Sequence, residues 1–206
     1  TMIFNPQAQD FKKLSACLDA FPSMSQLASA GSIGKVKEVM DAAHPHAFTL
    51  MQWLISSNRC HMVVIDPSCQ LASLDTPHQF LMLSAAPEHE ARFQAARAKH
   101  GSTFAFHGSP TENWHSILRT GLRNASGTKL QTTGSAYGAG VYISPAASTS
   151  LGYCRVQISN LTRPAPSAFL GKQLVCMALC EVVEHELRKN GDIWVQPNDH
   201  FVVTRF

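Results

Sequence analysis

With 206 residues, the chain has room for one domain with a sizeable apolar core, or for one domain and a small appendage. Hydrophobic residues make up 45% and charged residues 15% of the chain, a balance that excludes a disordered protein. The formal net charge of +3 favours anionic ligands only mildly, and no stripe of lysine and arginine indicates a nucleic-acid partner. No apolar run approaches the roughly 20 residues that a membrane span requires, and the N-terminus lacks a signal-peptide pattern.

Six cysteines are spread through the chain without the paired spacing of a metal site or a redox motif. They are Cys17, Cys60, Cys69, Cys154, Cys176 and Cys180. This usage favours a reducing intracellular setting, cytoplasmic or nuclear. The closest histidine pair, His44 and His46, flanks a proline and predicts an exposed loop rather than a metal site. Because the first residues are Thr1 and Met2, we expect a fragment of a larger multidomain chain.

The first 60 residues carry apolar side chains at helical spacing. One stripe ends at Pro22, a second covers residues 36–43, and a third covers residues 47–56. The first stripe consists of Phe11, Leu14, Leu18 and Phe21, and the second of Val36, Val39, Met40 and Ala43. Such stripes are typical of core packing, and no chemical motif accompanies them. The sequence therefore predicts a helical N-terminal region over residues 1–60, which is an appendage or a lid.

The periodicity changes after residue 60, where strand patterns begin. Short β-rich runs at residues 62–65 and 79–83 predict strands. Residues 87–99 predict a helix, because acidic residues begin it, basic residues end it, and Gly101 supplies a stop. An alternating strand at residues 103–107 follows directly.

The second half of the chain predicts more strands than helices. Residues 109–112 have the form of a capping box and predict a helix that ends at Gly121. Predicted loops cover residues 122–136, 160–171 and 185–190, and predicted strands cover residues 141–143, 174–183, 192–195 and 201–206. Because few helices connect these strands, we expect an α+β fold, in a second domain over residues 61–206.

Residues with the potential to bind a flat ligand cluster between positions 104 and 153. All three tyrosines of the chain fall in the last third of this stretch, as Tyr137, Tyr142 and Tyr153. His107 and Gly108 occupy a predicted strand-to-helix turn, where an imidazole and bare backbone are accessible to a ligand. The rings of Tyr142 and Tyr153 can form the two walls of a slot, in which a cationic ring would be attracted most strongly.

Each of these signals is weak when it is taken alone. A histidine at the end of a strand is commonly structural. Gly138 and Gly140 do not define a dinucleotide loop, because the GxGxxG fingerprint is absent. Tyr137 precedes these glycines and predicts loop packing. The order and spacing of the whole set are what indicate a ligand slot.

Three segments resemble the catalytic signature of PARP-type (diphtheria-toxin-like) ADP-ribosyltransferases. They are residues 106–109 (FHGS), 138–142 (GAGVY) and 150–154 (SLGYC). The resemblance extends over residues 79–206, and residues 101–109 and 112–119 look most like the small mono-ADP-ribosylating branch, the relatives of the sixth, eighth and sixteenth human members. Residues 52–59 resemble the region that precedes the catalytic domain in the sixth and eighth. The implied fold consists of two packed, mainly antiparallel sheets, preceded by a small helical region.

The resemblance implies a role for each matched residue. His107 would bond a ribose hydroxyl of NAD+, and the Gly108 backbone and Ser150 would hold the nicotinamide carboxamide. Tyr142 and Tyr153 would sandwich the nicotinamide ring. The implied NAD+-binding set is His107, Gly108, Ser109, Tyr142, Ser150 and Tyr153.

The implied activity is that of a glycosyltransferase that moves ADP-ribose from NAD+ to an acceptor protein, including the chain itself, and releases nicotinamide. The loop over residues 122–136 would cover the dinucleotide, and neither metal nor flavin is implied. Polymer-forming members carry a glutamate at a third signature position, which falls here at Asp192 or Ile193 when it is counted back from Phe206. Without a glutamate to activate an acceptor hydroxyl, transfer should stop after one ADP-ribose unit. The implied catalytic set is His107, Tyr142, Asp192 and Ile193.

Two other functions stay open at the level of the sequence. The missing glutamate is compatible with a catalytically weak module that binds NAD+ or ADP-ribose on the same fold. A plain interaction domain, whose helical front binds a partner, predicts no binding of nicotinamide analogues at all. The presence of His107, Ser150 and both slot tyrosines favours the transferase.

Overall fold

The computed structural model of the chain describes residues 10–74, 76–128, 136–154 and 175–206. Within these ranges, helices and antiparallel strands form the α+β arrangement that the sequence predicts. The chain divides into two compact units, and the first passes into the second between Ser57 and Asn58. None of the helices in the described ranges is long and apolar enough to cross a membrane.

Helices alone make up the described part of the first unit. They are α1 (Phe11–Asp19), α2 (Met24–Ser29), α3 (Ile33–Ala43) and α4 (Ala47–Ser57). Polar side chains begin three of them, since Asp10, Ser23 and Ser32 each accept a hydrogen bond from a backbone amide of the first turn. The helix α2 was not predicted, because its six residues carry too few apolar positions to show a period.

The core of the first unit shows why the predicted stripe of α1 is only partly correct. Its buried residues are Cys17, Met40, Ala47, Phe48 and Leu50. Leu14 and Phe21 pack against this core, whereas Phe11 is 69% and Leu18 44% exposed. Residues 14 and 17 share one helical face, positions 11 and 18 lie toward its edge, and Phe21 follows the end of α1. Cys17, which is not part of the predicted stripe, is the buried residue of α1.

The second unit contains eight strands and three helices in its described residues. The strands are β1 (His61–Val64), β2 (Phe80–Ser84), β3 (Ser102–Gly108), β4 (Val141–Ile143), β5 (Met177–Val183), β6 (Arg188–Asn190), β7 (Ile193–Gln196) and β8 (Val202–Thr204). The helices are α5 (Pro87–His100), α6 (Trp114–Thr120) and α7 (Ala147–Leu151). As predicted, Gly101 ends α5 and Gly121 ends α6, both with positive φ.

These strands form one two-stranded and two three-stranded antiparallel sheets. The strand orders are β1-β2, β3-β5-β8 and β4-β7-β6. The apolar strand β5 is central, as its sequence predicts. The loop predicted at residues 185–190 is wrong in its second half, where β6 forms. All three side chains of β6 are exposed and polar, so its strand character comes from backbone pairing with β7 and leaves no apolar pattern.

A single β-bridge joins the two three-stranded sheets within the described residues. The Phe106 amide donates to the Ser144 carbonyl over 2.7 Å, and the Ser144 amide donates to the Phe106 carbonyl over 2.9 Å. The bridge brings the ends of β3 and β4 together. The core beneath these strands consists of Ala105, Trp114, Ile117, Leu122, Val141, Ile143, Ala178, Cys180, Val182 and Val202.

A network of charges fastens α5 to the sheet that contains β5. Arg205 donates from both terminal nitrogens to Glu90 and from Nε to Glu181, each over 2.9 Å. Arg97 Nε lies 2.7 Å from the other oxygen of Glu181, which is only 7% exposed. The Arg205 guanidinium also lies over the ring of Phe93 on α5. Every buried charge here has a partner of opposite sign, so removing one partner would leave an uncompensated charge between α5 and the sheet.

The predicted capping box is wrong. The Ser109 hydroxyl accepts a bond from the Asn113 side chain instead of capping a helix, and a 3₁₀ turn (Thr111–Asn113) precedes α6. The loop predicted over residues 160–171 and positions 129–135 of the loop over residues 122–136 lie outside the described residues.

Candidate active site

His107 lies near the end of β3, and its two ring nitrogens have different surroundings. Nδ1 is 2.8 Å from the carbonyl oxygen of Tyr142. Because a carbonyl only accepts, Nδ1 carries the proton in this bond. Burial lowers the pKa of His107 below its usual value, so the ring is neutral at neutral pH. In this tautomer Nε2 is an acceptor, which suits a hydroxyl donor on a ligand.

Gly108 is in such close contact with its neighbours that no side chain fits there. A Cβ on Gly108 would lie 1.8 Å from the Ser150 carbonyl oxygen and 3.0 Å from Cys154 Sγ. The C-terminal end of α7 therefore packs directly on the backbone of β3. The Ser150 hydroxyl, which is buried, donates to the Phe106 carbonyl over 2.9 Å and keeps its lone pairs as acceptors. The structure thus brings His107, Gly108 and Ser150 together as the sequence predicts.

Tyr142 projects from β4, and hydrogen bonds fix its phenol. Its hydroxyl donates to the Gly138 carbonyl over 2.9 Å and accepts from the Tyr137 amide over 3.0 Å. The hydroxyl end of the ring is therefore fixed at the turn that precedes its own strand. Tyr137, expected to serve only in loop packing, contributes to the site through its backbone. Tyr137 also leaves 44% of its surface exposed.

Close packing explains the second glycine of the turn before β4. A Cβ on Gly140 would lie 2.7 Å from the Gln196 carbonyl oxygen, and the φ of this glycine is 154°. Only glycine lets β4 and β7 approach each other so closely at this point. This close approach fixes the backbone of β4 at Tyr142, two residues further along the chain.

Tyr153 lies in the turn after α7, and its backbone amide donates to the Ser150 carbonyl over 3.0 Å. The side chain is 43% exposed, so a large part of its surface remains accessible to a ligand.

Ser109 lies beside Gly108, but its hydroxyl accepts from Asn113 and its carbonyl accepts from the Trp114 indole over 3.1 Å. Through these two bonds, Ser109 joins the end of β3 to the start of α6.

The two candidates for the third signature position differ in their placement. Asp192 is exposed in the turn between β6 and β7, whereas Ile193 begins β7 and is partly buried. Val195 lies opposite Tyr142 in the ladder. Because side chains alternate along a strand, Ile193 projects to the same face as Val195 and Tyr142. Which position acts in catalysis stays a prediction, with Ile193 on the face that carries the phenol.

Sequence reasoning missed the residues that anchor the loop after α6. Ser126 Oγ accepts from the Gly140 amide over 3.1 Å. The Asn124 side chain donates to the Pro197 carbonyl, and the Asn124 amide donates to Asp199, each over 3.3 Å. The local signal is the Asn-x-Ser pattern of an Asx turn, in which the Ser126 amide donates to Asn124 Oδ1. The partners across the fold leave no such signal.

The described residues contain no group of three or more His, Cys, Asp or Glu side chains arranged to hold a metal ion. The groups that described contacts bring together are the neutral imidazole of His107, the Ser150 hydroxyl, the bare backbone at Gly108 and Tyr142, and Tyr153 follows Ser150 in the turn after α7. Burial raises the pKa of the neighbouring Cys154 thiol, which accordingly packs against Gly108 as an uncharged group.

Comparison with known proteins gives the class of this site. The family model of the poly(ADP-ribose) polymerase catalytic domain matches residues 82–200, which include β3, β4, α7 and β5. The chain therefore belongs to the family of poly(ADP-ribose) polymerase catalytic domains. The predicted resemblance is thereby confirmed.

Individual relatives place the chain within this family. It is 43% identical over 227 aligned residues to the protein mono-ADP-ribosyltransferases PARP8 of mouse and of human. The match covers 100% of this chain and 26% of each relative, so the chain spans about a quarter of their length. Human mono-ADP-ribosyltransferase PARP16 is 29% identical over 176 residues, covering 77% of this chain and 50% of that protein. The similarity to the mono-ADP-ribosylating branch is confirmed.

Proposed function

We propose that the chain carries the catalytic domain of a mono-ADP-ribosyltransferase. It transfers one ADP-ribose unit from NAD+ to a side chain of an acceptor protein, with itself among the acceptors. The bond between the ribose C1′ and the nicotinamide nitrogen breaks, nicotinamide leaves with the bonding electrons, and the acceptor atom bonds to C1′ and loses a proton. The observation that carries the proposal is the convergence of the His107 acceptor nitrogen, the Gly108 backbone and the Ser150 hydroxyl in one site.

The groups around Gly108 match a carboxamide. A carboxamide has an N–H donor and a carbonyl acceptor, and backbone at Gly108 offers both complementary groups without a side chain in the way. Ser150 Oγ already uses its proton on Phe106 and therefore accepts. Tyr142 supplies a fixed wall for the nicotinamide ring, and stacking of this kind contributes roughly 1–3 kcal/mol. The positive charge of the ring in NAD+ adds a cation–π attraction.

The tautomer of His107 matches a ribose. A neutral imidazole with an available Nε2 accepts from a ribose hydroxyl, and the bond from Nδ1 to Tyr142 keeps the ring oriented. The bound dinucleotide is thereby positioned for displacement at C1′. The positive charge that develops on the ribose in the transition state is not repelled, because the imidazole at this site is uncharged.

Transfer of a single unit is supported by the residues at the predicted third signature position. Asp192 and Ile193 offer no glutamate, and Ile193 presents an aliphatic surface on the face that carries Tyr142. The curated relatives are themselves named mono-ADP-ribosyltransferases. We extend the proposal to domain organisation, with a helical region over residues 1–60 and the catalytic domain over residues 61–206. We also propose the intracellular setting, cytoplasmic or nuclear, that the cysteine spacing in the sequence favours.

Incubation of the purified chain with NAD+ labelled in the adenylate group tests the proposal. The wild type should release nicotinamide and acquire label as single ADP-ribose units, resolved by gel and mass spectrometry. His107→Ala and Tyr142→Ala should each lose most of both signals. His61→Ala removes an exposed histidine from β1 and serves as the matched control with unchanged activity. Labelled chains of several units, or equal labelling of all four proteins, would contradict the proposal.

A further inference from the structure

A cationic side chain on β6 projects toward the site from the side away from His107. Arg188 pairs with Val195 in the ladder, and Val195 pairs with Tyr142. Residues directly opposite each other project to the same face of a sheet. Arg188 and Tyr142 therefore share a face, two strands and about 10 Å apart at their Cα atoms.

The guanidinium of Arg188 reaches back across this distance. Its Nη1 would lie only 2.6 Å from a Cβ on Gly138, whose φ is 94°. Gly138 is also the residue whose carbonyl accepts the Tyr142 hydroxyl. The absence of a side chain at Gly138 therefore lets the guanidinium rest on the turn that holds the Tyr142 phenol.

No carboxylate in the described part of the chain forms an ion pair with Arg188, and the arginine is exposed. Its neighbour Lys189 has the opposite situation. Lys189 Nζ lies 3.0 Å from Glu184 Oε1 and 4.7 Å from the centre of the Trp194 ring. Two adjacent cations of β6 thus point to opposite faces, one neutralised within the fold and one available to a ligand.

The layout of the site indicates which ligand this is. His107, Gly108 and Ser150 all belong to β3 and α7, so the proposed dinucleotide is held on the β3 side of Tyr142. The Arg188 side of Tyr142 lies across β7 and carries none of these groups. Arg188, which is exposed, is the cationic side chain that the structure places on that side of Tyr142.

We propose that Arg188 is a specificity-determining residue that binds a carboxylate of an acidic acceptor segment beside the nicotinamide slot. The inference rests on the proposed transferase function and names the acceptor class that this site favours. A guanidinium binds a carboxylate through two parallel hydrogen bonds, which fixes orientation as well as charge. Acidic residues that flank the modified side chain would therefore lower KM for the acceptor and leave KM for NAD+ unchanged.

Two pools of synthetic peptides test the inference. Both contain the same central set of potential acceptor residues, flanked by three aspartates in one pool and by three asparagines in the other, and only label that mass spectrometry locates on the central residues is counted. The wild type should label the aspartate pool with a kcat/KM about three- to tenfold higher. Arg188→Ala should remove this preference, Arg188→Lys should retain part of it, and Lys189→Ala, the matched control, should retain all of it.

Release of nicotinamide in the absence of peptide tests the transferase function separately from the role of Arg188. Arg188→Ala should still release nicotinamide from NAD+, because water then serves as the acceptor, and the peptide preference is taken as the ratio of the two pools so that it does not depend on this basal rate. No preference in the wild type, or an unchanged preference in Arg188→Ala, would overturn the inference and leave the proposed function standing. A raised KM for NAD+ in Arg188→Ala would also overturn it, since the arginine would then bind the dinucleotide. A wild type that releases no nicotinamide contradicts the proposed function and the inference together.

Discussion

The sheet around β5 and the sheet around β7 both contribute to the site, but different forces hold them. In the β5 sheet, β3 and β5 pair over seven residues, and β5 is largely buried. In the β7 sheet, β4 and β7 pair over only three residues, and β6 is exposed. Polar side chains hold the β7 sheet instead, since buried Gln196 donates to the carbonyls of Val183 and His185. Apolar burial thus positions His107, whereas hydrogen bonds to turns position Tyr142.

The largest effect is expected from removing the charge network that supports the β5 sheet. Arg205→Ala leaves Glu181 and Glu90 without their shared partner, and breaking a buried pair in this way costs about 3 kcal/mol of unfolding free energy. Urea unfolding measures the loss. The control Lys189→Ala, on the exposed β6, should cost less than about 1 kcal/mol. Equal losses in the two variants would show that the sheets do not differ in this respect.

Gly108→Ala tests how closely the β5 sheet positions the site. The added methyl would meet the Ser150 carbonyl, so β3 and α7 must move apart. We expect nicotinamide release to fall about 100-fold, since a displacement of about 1 Å at a reacting centre has that effect. The matched control is Gly34→Ala in α3, where a Cβ meets no atom within 4 Å. A Gly108→Ala enzyme with wild-type activity would contradict the assignment of this backbone to the site.

A smaller effect is expected where hydrogen bonds position the β7 sheet. Tyr142→Phe keeps the ring but removes the bonds to Gly138 and Tyr137, which together stabilise the turn by about 1 kcal/mol. Nicotinamide release should fall about fivefold, much less than in Tyr142→Ala. Tyr137→Phe removes a hydroxyl without touching the backbone amide that Tyr142 uses, and it should behave as the wild type. Identical rates for Tyr142→Phe and the wild type would show that stacking alone defines the wall.

The smallest effect concerns the pH dependence of stability. The pKa of His107 is lowered by burial, so its contribution to stability is complete above the unfolded pKa of about 6.5 and is lost as pH falls toward the folded value. The pKa of Glu90 is also lowered, despite partial burial, by its bonds to Arg205 and Gln94, so its contribution is lost only below about 4.5. Urea midpoints across this range should decline in two stages. Burial also lowers the pKa of His89, so this histidine contributes to the same stage. His107→Gln should therefore reduce the first stage and leave the second unchanged, and a variant with an undiminished first stage would contradict the assignment.

The same contrast explains what the sequence could predict. Strands β3 and β5 were predicted from alternation and from a long apolar run, because burial leaves a pattern in the side chains. The strand β6 was not, since its three exposed polar residues pair through the backbone alone. The prediction of a capping box at residues 109–112 was wrong because Ser109 forms hydrogen bonds with the side chains of Asn113 and Trp114 instead.

The candidate site was predictable where a motif carries the information. His107, Gly108, Tyr142 and Ser150 were identified by order and type, and the structure brings them together. The anchors Asn124, Ser126 and Gln196 were not, because their partners lie 11 to 75 residues away in the chain. Contacts of this range are set by the fold and leave no local pattern.

The single bridge between Phe106 and Ser144 has a mechanical consequence. A second link ties the same two sheets, because Gln196 of β7 donates to the Val183 carbonyl of β5 over 2.9 Å. His107 and Tyr142 lie within two residues of the bridge, so its two backbone hydrogen bonds set the spacing between their backbones. Backbone groups alone form these bonds, and the width of the slot at His107 and Tyr142 is therefore independent of the side chains at positions 106 and 144.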